Sequence, residues 1–505
     1  MAFEMNKFGV VKKKRLEKSQ FNVECNIDVG AEIDKILSIK HIVELENVEI
    51  LSGVINYAGN INLSLLFSTP DGEIGTTNAT CPFTSRFENP QIAAEDVAKI
   101  HVTIIDCQPV DVSNQAVKVL CVCEQSCTLI TKNEVENVVS NNENVCTKME
   151  DITIKTFVGH ATETFNIESQ VAIKESVKKL LYADSDVAVK TIENGVDFVA
   201  VGGEVVTKIL YLSANDRFET CYSTEPFKQE IALDGVNANA ISEVEAYVKK
   251  SAVKYEIDES DKGVKVNLNV PICMHVFAYE EKTENVVKDI YSTKGDLKIS
   301  TESFDMTRQW QTEFFETKID GSLTLDENQP RVDKVMFVGA SNLQVTNAYV
   351  KEGEVFVEGI VKTNVVYLND ETNALHSVLM EVPFVVSDKT TIDCDNVRVE
   401  VLATLYDVDV VVKKGREFYF DAKLKICSSF DCEVVDAVIS RVEQDGEYPE
   451  KDCAIELYFA NENDTAWDIA KAMKTTEEVI YTQNPELTFP LKQDENIVIY
   501  YQKQA

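Results

Sequence analysis

The sequence predicts a mainly β protein: three tandem antiparallel β-sandwich-like repeats followed by a small βααβ domain. Three observations predict it. Long stretches alternate apolar and polar residues. One ordered set of glycine, aromatic and Pro-Phe positions recurs three times. The C-terminal residues then switch to a pattern with two short helices.

Strict alternation marks a strand with one buried face, because successive side chains point to opposite sides. Val264, Val266, Leu268, Val270 and Ile272 form such a face, with Lys265, Asn267 and Asn269 on the other. Phe418, Phe420, Ala422, Leu424 and Ile426 do the same, and Val117, Val119, Cys121 and Cys123 alternate similarly.

The recurring set begins with a glycine eight positions before an aromatic residue: Gly59 to Phe67, Gly203 to Tyr211 and Gly359 to Tyr367. Polar turns follow at Thr69-Pro70-Asp71-Gly72, Ser213-Ala214-Asn215-Asp216 and Asn369-Asp370-Glu371-Thr372, so each copy reads as a hairpin. Each return strand meets a Pro-Phe pair, at Pro82-Phe83, Pro226-Phe227 and Pro383-Phe384. Proline there suits a strand end or edge, since it cannot donate to the ladder. Upstream of each copy lies a lysine with aliphatic neighbours: Lys35-Ile36-Leu37, Lys179-Leu180-Leu181 and Lys334-Val335-Met336. The pitch of about 150 residues is too long for a solenoid unit and fits one β domain per repeat. Expected limits are 19–135, 150–288 and 305–445, with residues 1–18 as an N-terminal arm and 450–505 as the last domain. Polar linkers are expected at Asn133 to Asn144 and Arg441 to Lys451.

The last domain opens with a strand, Ala454 to Phe459. Thr465 then caps a helix, with Asp468 three residues on in the capping-box arrangement, and Ile469, Ala470 and Met473 supply its apolar stripe. A second helix begins at Thr475 or Thr476, with Glu478 three residues after the former. It ends at Asn484-Pro485, because the residue before proline avoids helix. Ile497 to Tyr501 is the last strand.

This stretch resembles a LysM domain, carried by Asp464-Thr465, Trp467, Ile469-Ala470, Ile480, Asn484-Pro485, Leu491 and the Ile497/Ile499 strand. Asn463 stands where that family usually has glycine, and asparagine also tolerates positive φ. The final strand likewise has Asn496 where glycine is common. The three upstream repeats resemble the SPOCS domain of clostridial and bacillar spore-coat proteins. The Gly…Tyr strand (Gly…Phe in the first copy), the turn and the Pro-Phe pair carry that likeness. SPOCS repeats followed by LysM resemble spore-coat morphogenesis proteins of the SipL type and, more loosely, the SpoVID type. The resemblance implies a cytoplasmic mother-cell scaffold at the forespore surface that recruits coat layers. It also implies a LysM domain that binds a SpoIVA-like coat-basement ATPase and a protein that engages other coat proteins. Binding of peptidoglycan, an N-acetylglucosamine glycan, is the alternative.

In LysM domains the ligand groove lies between the first strand–helix loop and the second helix–strand loop. That places Asn461, Asn463, Asp464, Thr465, Trp467, Asn484, Pro485 and Leu487 as the candidate partner- or glycan-binding residues. Trp467 reads equally as an interface anchor or as a packing residue under the first helix. Asn484-Pro485 reads first as a helix stop and second as a groove wall.

Composition narrows the function classes. The formal charge of −36 repels nucleic acid and anionic lipid and favours a partner with basic patches. No run of eighteen apolar residues occurs, so no membrane span is expected. Met1 to Gln20 lacks the apolar stretch of a secretory signal, and its basic cluster, Lys12 to Arg15, is expected to be a solvated arm. Thirteen irregularly spaced cysteines without an export signal fit reduced thiols in a cytosol. Cys121, Cys123 and Cys127 are dense enough to consider for zinc. Cysteine recurring on corresponding strands at Cys273 and Cys427 instead suggests small core residues, so no metal is expected. None of the five histidines is four residues from another, and phosphate-loop and nucleophile-elbow motifs are absent. A non-enzymatic protein without cofactors is therefore expected.

Overall fold

The computed structural model describes residues 3–113, 115–139, 142–173, 176–249, 254–260, 263–372, 374–394, 396–449 and 453–500. The first unit comprises β1 (Glu4–Arg15), β2 (Ser19–Asp28), β3 (Lys35–Leu51), β4 (Val54–Ser68), β5 (Ile74–Glu88), β6 (Val97–Val112) and β7 (Ala116–Val139). The second comprises β8 (Val145–Ile173), β9 (Val177–Asn194), β10 (Phe198–Ser213), β11 (Phe218–Ala232), β12 (Ile241–Val248), β13 (Lys254–Ser260) and β14 (Gly263–Ser292). The third comprises β15 (Asp296–Thr324), β16 (Val332–Lys351), β17 (Glu354–Asn369), β18 (Leu375–Lys389), β19 (Val397–Lys413) and β20 (Glu417–Asp445). A closing module holds β21 (Ile455–Ala460), α1 (Ala466–Met473), α2 (Glu477–Gln483) and β22 (Glu495–Tyr500). The fold is mainly β, as the alternation predicts.

Each unit is two antiparallel sheets. One is a meander, β3-β4-β5, β9-β10-β11 or β16-β17-β18. The other is built on the unit's last strand: β7 pairs with β1, β2 and β6, β14 with β8, β12 and β13, and β20 with β15 and β19. The alternating faces meet between the sheets. Ile61 and Leu63 share a core with Val119 and Cys121, Val205 and Ile209 with Leu268 and Val270, and Val361 and Val365 with Phe420 and Leu424.

The recurring glycine has a steric cause. Gly59 pairs with Phe83, Gly203 with Phe227 and Gly359 with Phe384. A Cβ at these glycines would sit 2.4, 2.4 and 2.5 Å from the carbonyl oxygens of Glu44, Ala188 and Gln344, and against the tip of the paired phenylalanine ring. Beside each glycine the neighbouring strand carries one extra residue, Glu46, Lys190 or Thr346. Such a bulge bends the strand and brings its backbone close, and only glycine leaves room for both backbone and ring.

The Lys-plus-aliphatic segments explain how the units meet. A second bulge leaves Leu37, Leu181 and Met336 unpaired in β3, β9 and β16. Leu37 and Leu181 are buried with Leu66, Leu210, Phe337 and Val366 in one cluster drawn from all three units, and Met336 packs against it. Lys35 Nζ donates to the Leu375 carbonyl at 3.0 Å, and Lys179 Nζ to the Ile74 carbonyl at 2.9 Å. The return strand of each unit thus meets the first meander strand of the next: β5 with β9, β11 with β16 and β18 with β3. The repeats close into a ring of three, a more compact arrangement than a tandem string.

Residues 4–15 correct an expectation. They form β1, paired with β7 from Glu4↔Val139 to Arg15↔Thr128. Lys13 is 2% exposed and forms ion pairs with Glu243 of the second unit and, at 3.2 Å, Asp431 of the third. Lys99 lies beside it, 2.7 Å from Glu243 and 3.4 Å from Glu400. Burial pushes the Lys99 ammonium down, but the surrounding carboxylates outweigh it and hold it well above the usual lysine value. Burial likewise raises Glu400, and the lysines more than reverse this, to about 2. Lys13 of the basic cluster therefore belongs to a buried ionic hub among the units, while Arg15 stays exposed. A local sequence reading sees four charges in a polar stretch and cannot see the acidic partners hundreds of residues away.

The expected first linker is also mostly strand. Asn133 to Val139 lie in β7, and β8 resumes at Val145. Arg441 to Asp445 belong to β20, while residues 450–452 lie outside the described residues. These strand extensions form a stem beyond the ring. Phe8 and Val135, Ile154 and Val286, and Phe304 and Val438 share its core. Further along, Val138, Ile290 and Ile439 continue it.

The cysteines divide by face. Cys121, Cys123 and Cys127 lie in the core of the first unit. Cys273 pairs across the ladder with Tyr247 and sits 3.9 Å from His275 Nε2, on the face opposite Ile272 and Met274. Cys427 is likewise buried outside the intersheet core that holds Ile426. The recurrence read at Cys273 and Cys427 is therefore one residue out of register with Cys121.

Candidate functional site: the C-terminal module and its seat

The module forms as its capping residues dictate. The Thr465 side chain accepts from the Asp468 N–H, and the Asp468 carboxylate accepts from the Thr465 N–H at 3.0 Å, closing a capping box. Thr476 caps α2 by accepting from Val479. Asn463 adopts φ 72°, the left-handed conformation expected for its turn. Ile469, Ala470, Met473, Ile480, Leu491, Ile497 and Ile499 close a core between the helices and β21–β22.

Trp467 does not face a groove. It is 5% exposed and packs edge-on against Tyr291 at the end of β14, with ring centroids 4.9 Å apart. Its Nε1–H donates to Asp289 Oδ2 at 2.8 Å, and Lys471 Nζ bonds both oxygens of Asp289 at 2.7 Å. Burial raises the Asp289 carboxyl, but the bonds from Lys471 and Trp467 outweigh it and hold it below the ordinary aspartate value. Tyr291 completes the seat by donating its hydroxyl to the Thr475 carbonyl at 2.7 Å. The tryptophan is an interface anchor whose partner is the second repeat of its own chain.

Asn484 is similarly committed. It is buried, donates to the Ile480 and Val498 carbonyls at 3.2 and 3.1 Å, and accepts from the Val498 N–H at 3.2 Å. It ties the end of α2 to β22 and is not a groove wall. Asp464 is half-buried and closes its own turn, accepting from the Asn461 N–H at 2.8 Å, and Leu487 packs against the module core. Thr465 is spent on the cap. Of the expected groove residues, Asn461, Asn463 and Pro485 remain exposed.

The structure adds a surface the sequence reading missed. Ile455, Leu457 and Phe459 alternate along β21 and point away from the module core, Phe459 being 71% exposed. Ile455 pairs with Tyr500, itself exposed, so the outer face of the two-stranded sheet is apolar. The signal was present: in Ile-Glu-Leu-Tyr-Phe the apolar positions cannot all face inward when Ala460 and Tyr458 already do. The seat residues Asp289 and Tyr291 had no comparable signal.

Among the described residues, no group of three or more His, Cys, Asp or Glu side chains is arranged to hold a metal. Nor is any helix among them long and apolar enough to cross a membrane. Comparison with known families matches residues 32–110 and 176–257 to the family described as SipL, SPOCS domain. The matched segments span β3 to β6 and β9 to β13 of the first two repeats. No curated protein and no solved structure matches the chain. The third repeat lies outside the matched segments yet has the same glycine–phenylalanine pairing and the same junction bulge. These two segments are therefore similar to the SPOCS domain of the SipL family.

Proposed function

We propose that the protein is a non-enzymatic scaffold of spore-coat assembly whose C-terminal module, a LysM-type domain, docks a SpoIVA-like coat-basement ATPase. The SPOCS match supports the coat-related role. The observation that carries the docking reading is the module itself, fixed at the stem tip with an apolar sheet face turned outward. Exposed apolar patches of this kind mark protein contacts. A glycan groove loses two of its expected walls, because Trp467 and Asn484 are buried in internal contacts. The ring of repeats offers further strands to other coat proteins, and several contacts on one rigid body raise the effective concentration of partners at the shell. The protein works at the forespore surface of the mother cell in this reading.

The test is binding of the full chain to a purified SpoIVA-type ATPase and to soluble peptidoglycan fragments in parallel. The scaffold reading expects ATPase binding that an excess of glycan leaves unchanged. Glycan binding without ATPase binding overturns it and makes the protein a wall-associated lectin-like protein.

A further inference from the structure

The first repeat contains a line of thiols that the scaffold reading leaves unused. Cys107 of β6 and Cys121 of β7 are direct register partners, and their sulfurs are 3.3 Å apart. Cys121 in turn contacts Cys25 of β2, and Cys25 contacts Cys81 of β5. The line therefore runs from the outer sheet into the meander. Only its first member reaches solvent: Cys107 is half-buried, whereas Cys121, Cys25 and Cys81 are buried.

We propose that Cys107 and Cys121 are an oxidisable pair that forms a disulfide when the protein meets hydrogen peroxide. The geometry supports this directly. Register partners in an antiparallel ladder have Cα atoms about 4.5–5.5 Å apart, inside the window of about 4.4–6.8 Å that disulfides use. The sulfurs must close from 3.3 Å to about 2.05 Å, a side-chain movement within a fixed ladder. Exposure sets the order of events. The Cys107 thiolate attacks the peroxide O–O bond, takes one oxygen as sulfenic acid, and the other oxygen leaves as water. The Cys121 sulfur then attacks the Cys107 sulfur, the S–O bond breaks, and that oxygen leaves as a second water. Two thiols lose two electrons in all, and the peroxide gains them. In a reducing compartment both remain thiols.

The bridge would staple β6 to its ladder partner β7 and close the turn between them. The buried pairs, Cys25–Cys121 and Cys25–Cys81, have no exposed sulfur through which oxidation begins.

The experiment treats the full chain with hydrogen peroxide, quenches it, alkylates remaining thiols in denaturant and maps the peptides. The expected result is a species two hydrogens lighter, with Cys107 joined to Cys121, restored by a thiol reductant. Cys107→Ser, a change at a half-buried position, should abolish the species without substituting a Cys25–Cys121 bridge. The wild-type map alone is decisive if that variant misfolds. Cys107 carried to sulfinic acid while Cys121 still alkylates overturns the proposal, as does a chain in which exposed Cys453 is oxidised and Cys107 is not.

Discussion

Asp289→Ala isolates the seat, because Asp289 lies in the second repeat and contributes nothing to the fold of the C-terminal module. The substitution removes the acceptor of the Trp467 Nε1–H and of the Lys471 ammonium. The indole is buried, so its stranded N–H costs about 1–3 kcal/mol. The lysine side chain is 43% exposed, so its ion pair adds at most about 1 kcal/mol. The combined loss of about 1–4 kcal/mol shifts the seated-to-unseated equilibrium on the order of 5- to 700-fold, at about 1.4 kcal/mol per tenfold. Amide hydrogen exchange at the end of β14, Asp289 to Ser292, and along α1 reads the shift. Exchange at both places should quicken while the rest of the ring keeps its protection. Asp289→Asn keeps an acceptor for the indole and should cost about 1 kcal/mol or less. Unchanged exchange in Asp289→Ala at both places would refute the seat. The pH dependence has a definite sign. A carboxyl depressed by folding stabilises above its unfolded value of about 3.9 and loses that contribution as pH falls through the folded value. The wild-type seat should therefore loosen in acid, below about pH 4, by an increment that Asp289→Ala lacks.

Other substitutions test the ring. Gly203→Ala places a methyl 2.4 Å from the Ala188 carbonyl and 2.7 Å from the Phe227 ring, and chemical unfolding should show a loss of about 1–3 kcal/mol. Lys13→Met leaves Glu243 and Asp431 short of a buried cation and should cost about 3–5 kcal/mol in the same assay. Lys208 donates to the Val338 and Gly339 carbonyls across the junction of the second and third units, and burial pushes its ammonium down to about 7. The unfolded chain then binds more protons than the folded one between about pH 7 and the ordinary lysine value near 10.4, so stability rises with pH across that window. Thermal midpoints at about pH 7.5 and 9.5 should show the rise in wild type and lose it in Lys208→Met.

The repeat was legible because its determinants are local. Gly59, Gly203 and Gly359 precede their aromatic residues by a fixed interval, since a strand advances a fixed distance per residue and each turn is short. Thr465, Asp468 and Asn463 were legible for the same reason: caps and left-handed turns involve residues three or four apart. The missing part is long-range. Lys13 meets carboxylates 230 and 418 residues away, and Trp467 meets an aspartate 178 residues earlier. No period or spacing encodes such partners, so a strand that carries a buried lysine reads as a solvated arm, and Trp467 reads equally as an interface anchor or a packing residue. The Lys-plus-aliphatic segments fall between. Their recurrence was visible, but their role at the junction needed the bulges that push Leu37, Leu181 and Met336 toward one another.

The most direct test of the scaffold account is the affinity of the full chain for the SpoIVA-type ATPase, compared with Phe459→Asp. Phe459 is 71% exposed and lies outside the module core, so the variant should fold as wild type does. A central interface aromatic contributes about 2 kcal/mol or more, which predicts at least a roughly 25-fold loss of affinity. Undiminished binding by Phe459→Asp, or no binding by wild type, would contradict the claim that the module's outer sheet face docks the coat ATPase.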